Sequence, residues 1–222
     1  MVFGNMFKLL LRKRILVVLA LSCLSAAALK ADDYVRLKDD SSFRRELAAK
    51  TSEIRSVKAN FVQTKYLSVF KSEVKSGGMF YWQSSGNVCL DYLTPVKYRM
   101  TITGDKLSTT AGGKTSVMNM GGNPVAEKMR QLISSCMTGN IDFSSSGFAV
   151  SVAESGKDFR ISIEPERGET AGYVSRMEVH IARGTYEVRR LVIYENETDY
   201  TEYVFSGQKY NEEIPSSVFD MR

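Results

Sequence analysis

The sequence predicts a mainly β, α+β domain whose antiparallel strands form a strongly curved sheet that curls on itself. Three observations predict it. Short runs rich in Val, Ile, Phe, Tyr and Thr recur along the chain with turn residues between them, giving about ten strands. Only two segments carry helical spacing, one ahead of the strands and one inserted among them. The 222 residues, 43% hydrophobic and 25% charged, suffice for one substantial core, and no linker or internal repeat divides them.

The elements follow in order. Residues 41–56 read as one amphipathic helix, with Phe43, Leu47 and Ile54 among charged residues and Ser41 or Ser42 as the cap. Val57 to Phe70 reads as a long strand and Gly78 to Gln83 as a second. Ser84-Ser85-Gly86-Asn87 turns the chain into Val88 to Tyr92. Thr94-Pro95 turns it again into Tyr98 to Thr103, and hairpins follow over 107–110 and 115–120. Gly121-Gly122-Asn123-Pro124 then opens a second helix over Val125 to Met137, with Pro124 at its first position. Further strands are expected near 148–154, 158–164, 173–182, 185–195 and 198–207.

Alternation puts Trp82 opposite Val88 and Phe80 opposite Leu90 across the hairpin. Tyr92, Tyr98, Met100 and Ile102 fall on the same apolar face, while Tyr81, Asp91, Arg99, Thr101 and Thr103 fall on the other. Two outcomes are open for the apolar face. The helices pack on it as an ordinary core, or they leave a cavity for an apolar ligand. Methionines at 79, 100, 118, 120, 129 and 137 suit either, since thioether side chains adapt to gaps and to ligands without fixed shape. Gly121-Gly122 would let the inserted helix hinge as a lid.

The first 28 residues read as a cleaved secretory signal peptide: Lys8, Arg12, Lys13 and Arg14, then an apolar run over Ile15–Leu24, then Ser25-Ala26-Ala27-Ala28. Cleavage after Ala28 fits best, after Ala31 second, and an uncleaved anchor is the alternative. One domain then spans 29–222, in the periplasm. The whole chain holds 30 Lys+Arg and 25 Asp+Glu. Four of the basic residues and none of the acidic ones lie in 1–28, leaving 26 against 25, so the pI near 9.0 is partly a property of the leader. Nucleic-acid binding loses its support with that charge. Cys23 lies in the apolar run and is a minor lipidation candidate; Cys89 and Cys136 either pair or serve as small buried hydrophobes.

No catalytic constellation is apparent. His180 has no metal-ligand companion at usable spacing, nucleophile-elbow and phosphate-loop patterns are lacking, and the carboxylates are scattered. Neither an enzyme, nor a metal, nor a cofactor is expected.

Several motifs then fall in order along the chain: Phe61-x-Gln63-x-Lys65, Gly78-x-Phe80-x-Trp82, Val88 through Asp91-Tyr92-x-x-Pro95, Ile102-x-Gly104-Asp105-Lys106 and Ile214-Pro215 to Phe219. Together they resemble the LolA-type outer-membrane lipoprotein carriers over essentially the whole chain after the leader. The resemblance implies an incomplete barrel covered by an N-terminal helix and a lid helix. It implies a monomeric shuttle taking acylated lipoproteins from an inner-membrane releasing transporter to an outer-membrane acceptor. The expected acyl cavity is lined by Phe80, Trp82, Val88, Leu90, Tyr92, Met100, Ile102, Met118 and Met120, under a lid bearing Met129, Leu132, Ile133 and Met137. Two positions depart from the family. Ser84 stands where an arginine commonly tethers the lid, and Leu90 where a tryptophan is usual. A hydroxyl cannot replace a guanidinium fork, so the lid is held differently, for instance through Cys89 or Cys136, or the cargo is another envelope lipid or glycolipid. A structural or adaptor domain with a filled interior is the remaining alternative.

Overall fold

The computed structural model describes residues 33–122, 134–135, 147–166 and 174–221. The expected leader, the lid residues Met129, Leu132, Ile133 and Met137, and Cys136 lie outside the described residues. Ser134 and Ser135, inside the expected lid segment, are helical.

The described chain begins with a two-residue strand, β1 (Val35–Arg36), and helix α1 (Ser41–Thr51). Then come β2 (Ser56–Leu67), β3 (Ser72–Gln83), β4 (Val88–Thr94), β5 (Tyr98–Thr103), β6 (Lys106–Ala111) and β7 (Lys114–Asn119). After the interruption follow β8 (Phe148–Glu154), β9 (Asp158–Pro165), β10 (Arg176–Ala182), β11 (Val188–Tyr194) and β12 (Tyr200–Tyr210), and a 3-10 turn over Ser216–Phe219. All described strands join one antiparallel sheet in the order β1-β8-β9-β10-β11-β12-β2-β3-β4-β5-β6-β7. The sheet is curved but open, because β1 and β7 are its two edges and do not pair with each other.

The helix is shorter than its spacing predicts. It stops at Thr51, whose hydroxyl donates to the Leu47 carbonyl at 2.8 Å. Ile54 keeps helical spacing from Leu47 but lies past the end. The start also differs: Ser41 and Ser42 are inside the helix, and the Asp39 carboxylate accepts the Ser41 N–H at 2.9 Å, which holds the Asp39 carboxyl below the usual carboxylate range. The first long strand ends at Leu67 rather than Phe70. Its partner β3 begins at Ser72, six residues before the expected start, because the polar stretch Ser72–Ser76 continues the hairpin.

Period-two alternation gives the sheet one apolar face shared by almost every strand. Over β8–β11 that face is sealed by α1, where Phe43 and Leu47 pack on Phe159, Ile161, Val179 and Ile181. The other face is polar in its middle. Arg190 pairs with Glu202, and the Tyr34 hydroxyl lies 3.0 Å from His180 Nδ1. At β4 and β5 that second face is covered by the C-terminal segment, whose Ile214 and Phe219 pack on Cys89. This is what the closing Ile214-Pro215 to Phe219 motif does physically.

Candidate functional site

The half of the apolar face built by β12 and β2–β5 is the candidate site. Two cross-strand rows define it: Ala59, Phe80, Leu90 and Met100, and beside it Val57, Trp82, Val88 and Ile102. Phe80, Trp82, Val88 and Leu90 are buried there, and Tyr92, Met100 and Ile102 pack against them. The pairing of Trp82 with Val88 and of Phe80 with Leu90 is as the hairpin predicts. Met118 shares the face through its register with Leu107, but β7 is the edge strand and Met118 is 57% exposed, apart from the cluster. Met120 is half-buried just past β7.

The structure adds residues that local spacing could not place. Strand β12 pairs with β2 across the whole chain and sets Phe205 opposite Phe61. Phe61, Tyr203 and Phe205 therefore join the cluster, with Val57 and Ala59. Alternation in Val57-x-Ala59-x-Phe61 and Tyr203-x-Phe205 was the available signal; which strand met which was not. The rings interlock. Phe61 meets Tyr92 edge-on at 5.0 Å, and Phe80 meets Phe205 at 5.3 Å. The Tyr92 and Tyr203 hydroxyls lie 3.4 Å apart. Burial first, then the neighbouring Tyr203, pushes the Tyr92 phenol far above the ordinary tyrosine range, and burial also raises Tyr203. Neither phenol carries a charge at physiological pH.

Gly78 explains one motif. It sits on β3 between Phe61 and Tyr92, at a register shift between Gly77 and Gly78. A Cβ there would lie 2.0 Å from the Asp91 carbonyl oxygen. Only glycine lets β4 approach this closely, and the Phe61–Tyr92 pair covers the gap it leaves.

Three further features complete the site. The Trp82 Nε1 is buried without a hydrogen-bond partner, a donor set in an otherwise apolar face. A narrow cleft of about 20 Å³ opens where Ile54 meets the sheet, walled by Val57, Phe80, Phe205 and Tyr210. Of the described residues packed on this cluster, only Ile54 comes from outside the strands. The Ser84 N–H donates to the Arg55 carbonyl at 2.9 Å, tying the β3–β4 turn to the segment after α1.

Of the two cysteines expected either to pair or to serve as small buried hydrophobes, Cys136 lies outside the described residues. Cys89 is a free, fully buried thiol near the Thr101 hydroxyl, and burial pushes its pKa up. Its odd position puts it on the face opposite Val88 and Leu90, under Ile214 and Phe219, so it cannot fasten a cover on the candidate site. Among the described residues no group of three His, Cys, Asp or Glu is placed to hold a metal ion. None of the described helices is long and apolar enough to cross a membrane.

A family model described as outer membrane lipoprotein carrier protein LolA matches residues 52–222. The chain belongs to the LolA family. The matched stretch contains every strand of the candidate site and the C-terminal clamp. No curated protein matches. Among solved structures, this LolA-family chain is similar to the Pseudomonas aeruginosa MucA/MucB complex (12% identity, TM-score 0.47, covering 82% of this chain and 61% of that one). It is similar to the Mycobacterium tuberculosis lipoprotein LppX (14%, TM-score 0.44, 78% and 96%). It is also similar to a LolA superfamily protein from Nitrosomonas europaea (10%, TM-score 0.41, 80% and 97%).

Proposed function

We propose that this LolA-family protein is a periplasmic carrier. It holds the acyl chains of lipoproteins on the β12/β2–β5 half of its apolar face and moves them from the inner to the outer membrane without chemistry. One observation supports the reading: among the described residues α1 packs on the β8–β11 half, while the β12/β2–β5 half holds a second, continuous aromatic and aliphatic cluster containing an unpaired indole donor. Each methylene taken from water gains about 0.8 kcal/mol, so ten of them supply about 8 kcal/mol with no charged contact. The Trp82 N–H suits the ester or amide carbonyl at the head of such a chain. Release to an acceptor needs only a difference in affinity between the two proteins. The departures at Ser84 and Leu90 favour, as a second reading, another acylated envelope lipid on the same surface.

Trp82 is the single tryptophan and reports directly. Titration with an N-palmitoylated peptide is expected to change its emission and to give a Kd at least about 100-fold below that of the unacylated peptide. Equal affinities for the two peptides would sink the proposal.

A further inference from the structure

The β2–β3 hairpin overhangs the sheet. Pairing of β3 with β4 ends at Gly77 and Thr94, so Ser72–Ser76 run on for roughly 17 Å with no described strand on that side. At the tip, Val69 is 84% and Phe70 70% exposed. This exposure is built rather than frayed. Phe70 and Lys71 N–H groups donate to the Leu67 and Ser68 carbonyls, and Lys71 closes the turn at φ 47. The Asp199 carboxylate accepts the Ser68 N–H at 2.8 Å, a bond that brings its pKa down to about 2, and Tyr66 stacks on Tyr200 at 5.6 Å. At the same end of the sheet, Leu93 near the end of β4 and Val96 in the β4–β5 turn are exposed.

Charge distinguishes this end. Lys71 and Lys97 stand on the β2–β3 and β4–β5 turns and Lys114 opens β7, and none of the three is in an ion pair with another described residue. The nearby carboxylates are mostly engaged: Glu73 with Lys75, Glu195 with Lys65, and Asp199 with Ser68. Glu197, on the β11–β12 turn, and Glu164 beside it are left against the three lysines.

An exposed aromatic on a braced projection, backed by unpaired lysines set behind it, has the pattern of a peripheral membrane contact. We infer that the β2–β3 tip docks on an anionic lipid bilayer. Val69 and Phe70 enter the boundary between headgroups and acyl chains, and Lys71, Lys97 and Lys114 meet the headgroup phosphates. The inference does not rest on the cargo reading, since it concerns the outer end of the sheet and not its apolar face.

The test uses the full chain and a local probe, so that residues outside the tip do not decide it. Phe70→Trp is compared with Ser85→Trp, on the exposed β3–β4 turn at the opposite end, using vesicles of phosphatidylglycerol and phosphatidylethanolamine with brominated acyl chains. Trp82 is buried in both and gives the same background. The indole introduced at 70 is expected to be quenched at least about twofold and the one at 85 to be unaffected. Each of Lys71→Gln, Lys97→Gln and Lys114→Gln should weaken vesicle binding about fivefold. No quenching at 70, equal quenching at 85, or equal binding to phosphatidylcholine vesicles would overturn the inference, and the first of these would assign the tip to a protein partner instead.

Discussion

Leu90→Glu is expected to leave a folded protein that no longer binds acylated peptide, whereas Ile161→Glu is expected not to fold. Both residues are buried on the same face of the same sheet. They differ in what lies over them. Ile161 is fully buried beneath Phe43 and Leu47 of α1, so a carboxyl there has no route to water. An unpaired buried carboxylate costs several kcal/mol, against a total stability of about 5–15 kcal/mol for a domain. Leu90 belongs to the half onto which, among the described residues, only Ile54 packs from outside the strands. Its carboxyl reaches solvent if the cover opens, at a cost of about 2 kcal/mol in stability, and it then blocks the apolar surface. The measurements are thermal unfolding followed by circular dichroism, and titration with palmitoylated peptide, where affinity should fall at least about 100-fold. Failure of both variants to fold would make the β2–β5 half a filled core.

Gly78→Ala should destabilise far more than a glycine substitution in a turn. The new Cβ meets the Asp91 carbonyl oxygen at 2.0 Å and its carbon at 2.8 Å, both backbone atoms that cannot swing away. Strands β3 and β4 must separate at their register shift, disturbing the Phe61–Tyr92 contact above it. A loss of about 3 kcal/mol or more is expected. Gly112→Ala is the control. It has a positive φ of 56 but open space around it, and should cost about 1 kcal/mol. Denaturant midpoints compare them, and similar losses at the two positions would contradict the close-approach explanation.

These positions also show what is readable in the sequence. The Trp82–Val88 and Phe80–Leu90 pairs are legible because a hairpin fixes register locally, through Gly86 at positive φ and a four-residue turn. The same alternation gives the sidedness of Tyr92, Met100 and Ile102. The β12–β2 pairing joins residues more than 130 positions apart, and no local pattern specifies it, so Phe61, Tyr203 and Phe205 come into the site only through the fold. Ser72–Ser76 escapes a strand reading because an overhang lacks the apolar alternation that burial imposes. Ile54 extends the helical spacing although the chain has already turned at Thr51. Met118 has the right parity and the wrong depth, since edge position and not alternation decides exposure. Cys89 is legible as a buried small residue but not as the anchor of the C-terminal clamp.

The most direct test of the carrier reading is native mass spectrometry of the protein isolated from envelope fractions without detergent extraction. A carrier should yield a protein population whose added mass matches one or more acyl chains, covalently attached to lipoprotein or lipid, and which Leu90→Glu abolishes. A ligand-free protein in every preparation, with wild type and Leu90→Glu indistinguishable, would contradict it.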